Sequence, residues 1–149
     1  MPIENHTRND EGNYGPTTSG NSYLSKADHR MNAAGNAHKT KWSIQEGQEY
    51  EVFRLSDEID NNLNGDFRWL CPVNNCLFSM INGCKVVIGG NGERIAKFVE
   101  PPNASECWHG YPVNTAKQND KPSEELLDKL EEISIISKAT KRKIERGRI

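Results

Sequence analysis

The densest apolar part of the chain consists of two runs, residues 76–81 and 84–88, separated by the pair Asn82-Gly83. Asn-Gly is the preferred pair for a two-residue type I′ turn, because both central residues need a positive φ angle. The two runs are also rich in branched and aromatic residues, which favour strands. The pattern therefore predicts a β-hairpin. Because both faces of this hairpin are apolar, other elements must pack on each side of it.

Weaker patterns add further strands to this hairpin. Residues 67–71 and 94–99 are apolar runs that end at turn residues, and they complete a four-stranded antiparallel meander. Residues 50–55 alternate between apolar and polar positions, which is typical of a fifth strand. Ser56 then has the character of an N-cap for a short helical turn that ends at Asn64-Gly65.

The C-terminal residues show a helical pattern instead. The segment Pro122-Ser123-Glu124-Glu125 is a helix start, and the apolar stripe that follows comprises Leu126, Leu127, Leu130 and Ile133. After a break, Ser137 can cap a last helix over residues 138–146. The predicted fold class is α+β: an antiparallel four- to five-stranded meander with a C-terminal helical hairpin on one face.

Residues 1–41 form a polar N-terminal arm in which Ile3 and Leu24 are the only branched aliphatic side chains. Such a segment buries too little apolar surface to offset the entropy lost on ordering, so we expect the arm to be largely disordered. A short helix at 26–35 is an exception to consider, because Ala27, Met31 and Ala34 fall on one helical face. Residues 42–149 then form a single α+β domain.

The composition and charge of the chain limit the classes of protein to which it can belong. The chain has 149 residues, of which 34% are hydrophobic. Its formal net charge of -2 argues against a general nucleic-acid binder. No apolar run reaches the ~18 residues of a membrane helix, and the first residues lack the basic and apolar regions of a signal peptide. We therefore expect a cytoplasmic protein without a membrane partner. Disulfides rarely persist in the cytoplasm, so the four cysteines are expected to be free thiols or metal ligands.

One candidate site is a structural zinc centre. Cys71 and Cys76 flank a predicted four-residue turn, and Cys107 and His109 lie together in a later loop. Three thiolates and one imidazole form a closed set that zinc accepts. The spacing matches no standard zinc motif, and buried cysteines commonly act as small hydrophobic residues. No cofactor is expected otherwise.

A catalytic role has less support in the sequence. Cys107 and His109 could form a thiol–imidazole pair, but no third residue is evident to orient the histidine and no helix start is near to activate the thiol. The sequence also lacks the phosphate-binding loop, the nucleophile elbow, the zinc-protease motif and the calcium loop. We therefore predict no catalytic residues and, on balance, a protein that is not an enzyme.

The leading hypothesis is a non-enzymatic protein-binding module, such as a bacterial or phage regulator or inhibitor. The predicted contact surfaces are the aromatic loop that contains Trp108 and Tyr111, the exposed sheet face and the N-terminal arm. Aromatic and arginine side chains concentrate the free energy of protein interfaces. The candidate partner-binding residues are Arg68, Trp69, Trp108, Tyr111, Tyr14, Tyr23 and Leu24.

The alternative is a zinc-stapled nucleic-acid-binding module. The last predicted helix is strongly basic, and cations clustered on a terminal helix can neutralise phosphates. They can also pair with the acidic helix that precedes them. The candidate nucleic-acid-binding residues are Lys138, Lys141, Arg142, Lys143, Arg146 and Arg148.

Overall fold

An antiparallel three-stranded sheet lies at the centre of the computed structural model, which describes residues 3–30, 39–73 and 75–149. Its strands, in the order β1-β2-β3, are β1 (Cys76–Ser79), β2 (Ile95–Val99) and β3 (His109–Val113). The helices are α1 (Glu46–Asn62), α2 (Asp66–Trp69), α3 (Glu124–Glu132) and α4 (Lys138–Glu145). Short 3-10 turns are formed by Ala27–His29, Ile81–Cys84 and Gln118–Asp120. The predicted α+β class is confirmed, although the described sheet has three strands and not four or five.

The core is dominated by aromatic side chains between α1 and the sheet. The ring of Phe53 on α1 lies 5.3 Å from that of Phe98 on β2 and 5.4 Å from that of Trp108, measured between centroids. Trp42 and Tyr23 complete this cluster, and both are fully buried. Large aromatic side chains bury much apolar surface each, so this packing accounts for the closeness of α1 to the strands.

The predicted central hairpin is wrong, although its turn forms. Asn82 and Gly83 both have positive φ angles, 49° and 65°, as a type I′ turn requires. Cys84 also has a positive φ angle, 68°, and this third left-handed residue turns the chain away from β1. Consequently β1 pairs with β2, and the carbonyl oxygen of Ile88 accepts a hydrogen bond from the Ser43 amide.

The predicted strand at residues 50–55 is also wrong, because these residues lie in the middle of α1. Ser56 does not start a new helix. Its hydroxyl donates to the carbonyl oxygen of Phe53 at 2.8 Å, which satisfies a serine inside a helix. The actual helix start is a capping box formed by the side chains of Gln45 and Gln48.

Two further strand assignments change. The predicted strand at residues 67–71 is wrong: residues 67–69 belong to the single-turn helix α2, which begins at Asp66 after Gly65 in the left-handed conformation. Conversely, β3 lies in the segment predicted to be a loop. Pro112 is tolerated there because β3 is at the edge of the sheet. A Cβ at Gly110 would lie 2.2 Å from the ring of Phe98, so glycine is required for β3 to pack closely on β2.

Both C-terminal helices start where the sequence predicts them, and α4 ends one residue before the predicted end. The hydroxyl of Ser123 accepts a hydrogen bond from the Leu126 amide, and the hydroxyl of Ser137 accepts one from the Thr140 amide. These N-caps fix the starts of α3 and α4. The two helices pack against each other and bury the side chains of Leu126, Leu127, Leu130, Ile136 and Ile144.

The prediction of a largely disordered arm is wrong for residues 3–30. Tyr14 is 5% exposed and Tyr23 is fully buried, and both rings pack against Tyr50 of α1. A count of aliphatic residues overlooks that two tyrosines can anchor a polar segment. The predicted helix at 26–35 is reduced to the 3-10 turn Ala27–His29 in the described residues, and residues 31–38, with Met31 and Ala34, lie outside them.

None of the helices in the described parts of the chain is long and apolar enough to cross a membrane.

The arm lies so close to α1 that a methyl group at Gly47 has no room. A Cβ there would be 2.0 Å from the carbonyl oxygen of His6 and 2.3 Å from Asn5 Oδ1. In a helix without such a neighbour, Gly→Ala stabilises by up to about 1 kcal/mol. Here we expect Gly47→Ala to lower the free energy of unfolding by about 1–3 kcal/mol, as overpacking usually does, measured by urea denaturation.

The control is the same substitution in a chain that lacks residues 1–8. Without the arm backbone over Gly47, the alanine should stabilise the helix by up to about 1 kcal/mol. A stabilising effect of Gly47→Ala in the full chain would contradict the close packing of the arm on α1.

Candidate functional site

Residues 3–30 of the arm supply polar partners to buried acids of α1. Glu49 is completely buried, and its carboxylate accepts hydrogen bonds from Tyr23, from Ser25 at 2.8 Å and from Arg30 at 2.9 Å. Burial raises the pKa of Glu49 to about 7, although these three partners act to lower it. A buried carboxylate of this kind ties three positions of the arm to one point of the helix.

A second acid of the helix is engaged in the same way. Asp57 is 1% exposed, and it accepts hydrogen bonds from the Ser19 hydroxyl and, at 2.7 Å, from Asn21 Nδ2. Near its start, the arm also places Arg8 against Glu46. Residues 3–30 therefore form a strap along α1.

The candidate partner-binding residues separate into buried and exposed sets. Tyr14, Tyr23 and Trp108 lie in the core, and Leu24 is half-buried, with its amide donating to the carbonyl oxygen of Trp108. Tyr111 is half-buried, and its ring stacks on His29 with centroids 5.0 Å apart.

Arg68 has a structural role in the described chain. Its guanidinium pairs with Asp60 at 2.7 Å and with Glu100 at 2.9 Å, and it lies 5.4 Å from the centroid of the Trp108 ring. The arginine thus joins α2 to α1 and to the end of the sheet. The ion pair with Asp60 also gives this buried carboxylate a cationic partner.

Trp69 differs from the other candidates because 76% of its surface is exposed. Val73, in the loop that follows α2, is 49% exposed. A shallow depression beside the indole is lined by Gly65, Arg68, Asn75 and Glu100. Trp69 and Val73 are two of the three large hydrophobic residues that the described chain exposes, the third being Val87.

An apolar groove lies between α1, α2, β1 and α3. Its cavity has a volume of about 290 Å³ and is partly open to solvent. Leu55 and Ile59, one turn apart on α1, form one wall, and Leu126 and Leu130 of α3 form another. The remaining apolar lining residues are Phe67, Leu77, Phe78, Met80, Ile81 and Ile135, and the polar ones are Ser56, Glu58, Asn62, Ser79 and Asn82.

This groove was not evident from the sequence, because residues 50–55 were assigned to a strand. Had α1 been recognised, the spacing of Leu55, Ile59 and Asn62 would have placed them on one side of a helix. The matching stripe of Leu126 and Leu130 on α3 was identified, so the two walls were available in the sequence once both helices were assigned.

The structure brings two of the four predicted zinc ligands together. The thiol of Cys71 donates to the carbonyl oxygen of Cys76 at 2.9 Å, and the thiol of Cys76 donates to that of Val73 at 2.9 Å. The hydrogen bond with Cys76, together with burial, raises the pKa of Cys71. Cys107 and His109 do not join them in any group of described side chains with ligand atoms within 4.8 Å. Both of the paired thiols have backbone acceptors, whereas zinc requires thiolates.

Cys107 also lacks the features of an activated nucleophile. Burial raises the pKa of this half-buried thiol, and burial lowers the pKa of His109. A catalytic cysteine needs the opposite shift, towards the thiolate, and a positive group beside it.

The basic residues of α4 and the chain end are mostly exposed. Lys141 pairs with Asp128 and Glu131 of α3, so the predicted pairing with the acidic helix holds for this residue. The other five form no ion pair with any described residue: Lys138, Arg142, Lys143, Arg146 and Arg148. Positions 138, 142 and 146 are spaced by four, so they share one side of the helix.

Comparisons of the chain with protein-family models, with curated proteins and with solved structures find no significant match. Function must therefore be inferred from the surfaces described above.

The buried Glu49 network makes stability depend on pH. The pKa of Glu49 is about 7 in the folded chain and 4.5 as its ordinary value, so the folded state binds the proton more tightly. Its contribution to stability is fully present below pH 4.5 and is lost as the pH rises to about 7. Relative to Glu49→Gln, the wild-type free energy of unfolding should decline across this range by up to about 3 kcal/mol.

Urea denaturation at a series of pH values measures this difference. The matched control is Glu58→Gln, which removes an exposed carboxylate from the same helix and should leave the pH profile close to that of the wild type. A pH profile of Glu49→Gln parallel to that of the wild type would contradict the assignment.

Proposed function

We propose that the protein is a non-enzymatic protein-binding module that receives apolar side chains of a partner in the groove between α1 and α3. The groove is the observation that carries the proposal. Partly open apolar depressions are common binding sites in proteins, and helical segments often dock into such grooves through side chains spaced by three or four residues. A bacterial or phage regulator or inhibitor remains the class of protein that we favour.

The size and lining of the groove support a short apolar segment as its occupant. A cavity of about 290 Å³ accommodates a few side chains and not a large ligand. Leu55, Ile59 and Ile135 are only half-buried, so each of them has apolar surface that a partner can cover. Covering such surface is favourable by roughly 25 cal/mol per Å².

Trp69 supports the proposal from a neighbouring position. The turn between α1 and α2 separates the groove residue Asn62 from Gly65, which borders the depression beside Trp69. Tryptophan is among the residues most enriched at the energetic centres of interfaces. A partner seated in the groove that also covers the indole would bury the most exposed large hydrophobic residue of the described chain.

The natural partner is unidentified, so peptides selected from a random display library for binding to the full-length protein are used to test the groove. Ile59→Glu places a charge on the apolar wall, and Trp69→Ala removes the exposed indole. We expect each substitution to weaken binding of the selected peptides at least about tenfold, because truncation of a central contact typically costs more than 1 kcal/mol. Fluorescence anisotropy of labelled peptides measures the affinity.

Val87→Glu is the matched control, since Val87 is 41% exposed and lines neither the groove nor the depression beside Trp69. Its affinity for the peptides should equal that of the wild type. Leu55→Ala provides a milder change on the same wall should Ile59→Glu disturb folding. Peptides that bind all variants equally would exclude the groove as the binding surface.

A second candidate function is binding of nucleic acid by α4. It is favoured by the five exposed cations on α4 and the chain end that form no ion pair with described residues. Exposed lysine and arginine side chains on one side of a helix can contact successive phosphates. Zinc forms no part of this proposal.

The salt dependence of binding distinguishes phosphate contacts from other contacts. If α4 binds duplex DNA or RNA, replacing Lys138, Arg142 and Arg146 together by Gln should reduce the slope of log K against log salt by roughly 1 for each lost contact. Lys117→Gln, at an exposed cation outside α4, is the control. A slope unchanged by the triple substitution, or no binding at low salt, would exclude this function.

A further inference from the structure

A cluster of three ligating side chains lies where the arm begins to cross α1. The Nε2 atom of His6 is 2.9 Å from Glu4 Oε2 and 2.8 Å from Glu51 Oε1. In residues 3–30, 39–73 and 75–149, this is the one group of three or more His, Cys, Asp or Glu side chains whose ligand atoms all lie within 4.8 Å of one another. We propose that Glu4, His6 and Glu51 bind a divalent transition-metal ion, Zn²⁺ in the first instance.

The donor set selects the class of metal. Imidazole nitrogens and carboxylate oxygens are both zinc ligands, and zinc sites with three protein ligands leave a fourth position for water. Magnesium and calcium prefer oxygen ligands alone, so the imidazole disfavours them. Glu4 is exposed, which leaves one side of the cluster open to water.

The imidazole of His6 is held in place by its surroundings. Its backbone carbonyl lies against Gly47, and its ring meets the ring of Tyr50 edge to face, with centroids 4.8 Å apart at 89°. On either side, Gln48 Nε2 donates to the carbonyl oxygen of Ile3, and Asn5 donates to Gln45. The histidine therefore approaches Glu51 from a backbone that is fixed at several points.

Glu51 is positioned equally well. It is 7% exposed, and Arg54 donates to both of its oxygens, at 2.6 Å to Oε1 and 2.9 Å to Oε2. A carboxylate oxygen has more than one lone pair, so Oε1 can accept from Arg54 and still face a metal. Carboxylates that bind metals are usually oriented by such outer hydrogen bonds.

A bound ion would join two residues of the arm to α1 through coordination bonds. In the described structure, hydrogen bonds, ion pairs and the packing of His6 on Tyr50 and Gly47 already hold these positions together. Metal binding would therefore stabilise the docked arm, because an ion that binds the folded chain and not the unfolded one shifts the folding equilibrium. This inference is independent of the proposed binding groove, which shares no residue with the cluster.

Titration calorimetry of the full-length protein with Zn²⁺ tests the proposal. We expect one ion per chain, binding at least about tenfold weaker in Glu4→Gln and in His6→Gln, and unchanged affinity in His109→Gln. The melting temperature should rise with Zn²⁺ in the wild type and in His109→Gln, and much less in the two cluster variants. Glu4 is exposed, so its substitution tests ligation without disturbing the core.

Absorption spectra with Co²⁺ in place of Zn²⁺ separate this cluster from the cysteines. Ligation by imidazole and carboxylates produces no thiolate-to-metal charge-transfer band, whereas ligation by Cys71, Cys76 or Cys107 does. Absence of that band, together with the losses in Glu4→Gln and His6→Gln, supports the proposal. A thiolate band, the absence of Zn²⁺ binding, or equal affinity in wild type and both cluster variants would overturn it.

Discussion

Helix α1 carries four buried carboxylates, and their partners come from the arm and from α2, which both pack against this helix. Glu49 and Asp57 are at most 1% exposed, as is Asp60, and Glu51 is 7% exposed. An unpaired buried charge is very unfavourable, whereas a paired and hydrogen-bonded one is tolerated. Each of the four carboxylates has a hydrogen-bond or ion-pair partner outside α1. The arm engages three of them and Arg68 of α2 engages the fourth.

The same helix supplies the centre of the apolar core. Phe53 packs between Phe98 and Trp108, and Tyr23 of the arm stacks on Phe53 with ring centroids 5.2 Å apart. Tyr23 therefore belongs both to the apolar core and to the hydrogen bonds of the buried acids, since its ring packs in the core and its hydroxyl donates to Glu49. A polar arm is ordered by two aromatic anchors and a row of hydrogen bonds. Aliphatic content alone was a poor guide to its structure.

The buried positions of α1 explain why its helical pattern was not recognised. Glu49, Val52, Phe53, Ser56, Asp57 and Asp60 are buried, and they follow the three- and four-residue spacing of a helix. Four of these six are polar, so a pattern of apolar residues alone is reduced to the adjacent pair Val52 and Phe53. The apparent alternation of residues 50–55 then resembled a strand. That these acidic positions are buried can be predicted only if their partners in the arm and α2 are known, and those partners are distant in sequence.

Features set by local chemistry were predicted correctly. The helix start within residues 122–125, the Ser137 cap of α4, the positive φ angles of Asn82 and Gly83 and the strand predicted at 94–99 all depend on residues close in sequence. The proximity of Cys71 and Cys76 was also right, although the two do not lie in the predicted pair of strands. A separation of five residues across a turn keeps two side chains near each other in many backbone conformations. Pairing of β1 with β2 and the burial of β3 depend on contacts between residues that are far apart in sequence. These features could therefore not be predicted from neighbouring residues.

Because the α1 carboxylates already have hydrogen-bond partners, fewer surfaces are available to a binding partner. The arm and the acidic side of the helix satisfy each other's polar groups, so separating them would expose two tyrosines and leave buried acids without partners. A partner that displaced the arm would have to replace all of these contacts. Among the described residues, surfaces that remain available without such a cost include the apolar side of α1 at Leu55 and Ile59, the indole of Trp69 and the cations of α4. A contact at any of these would leave the strap in place, so residues 3–30 form a part of the folded scaffold in the described structure.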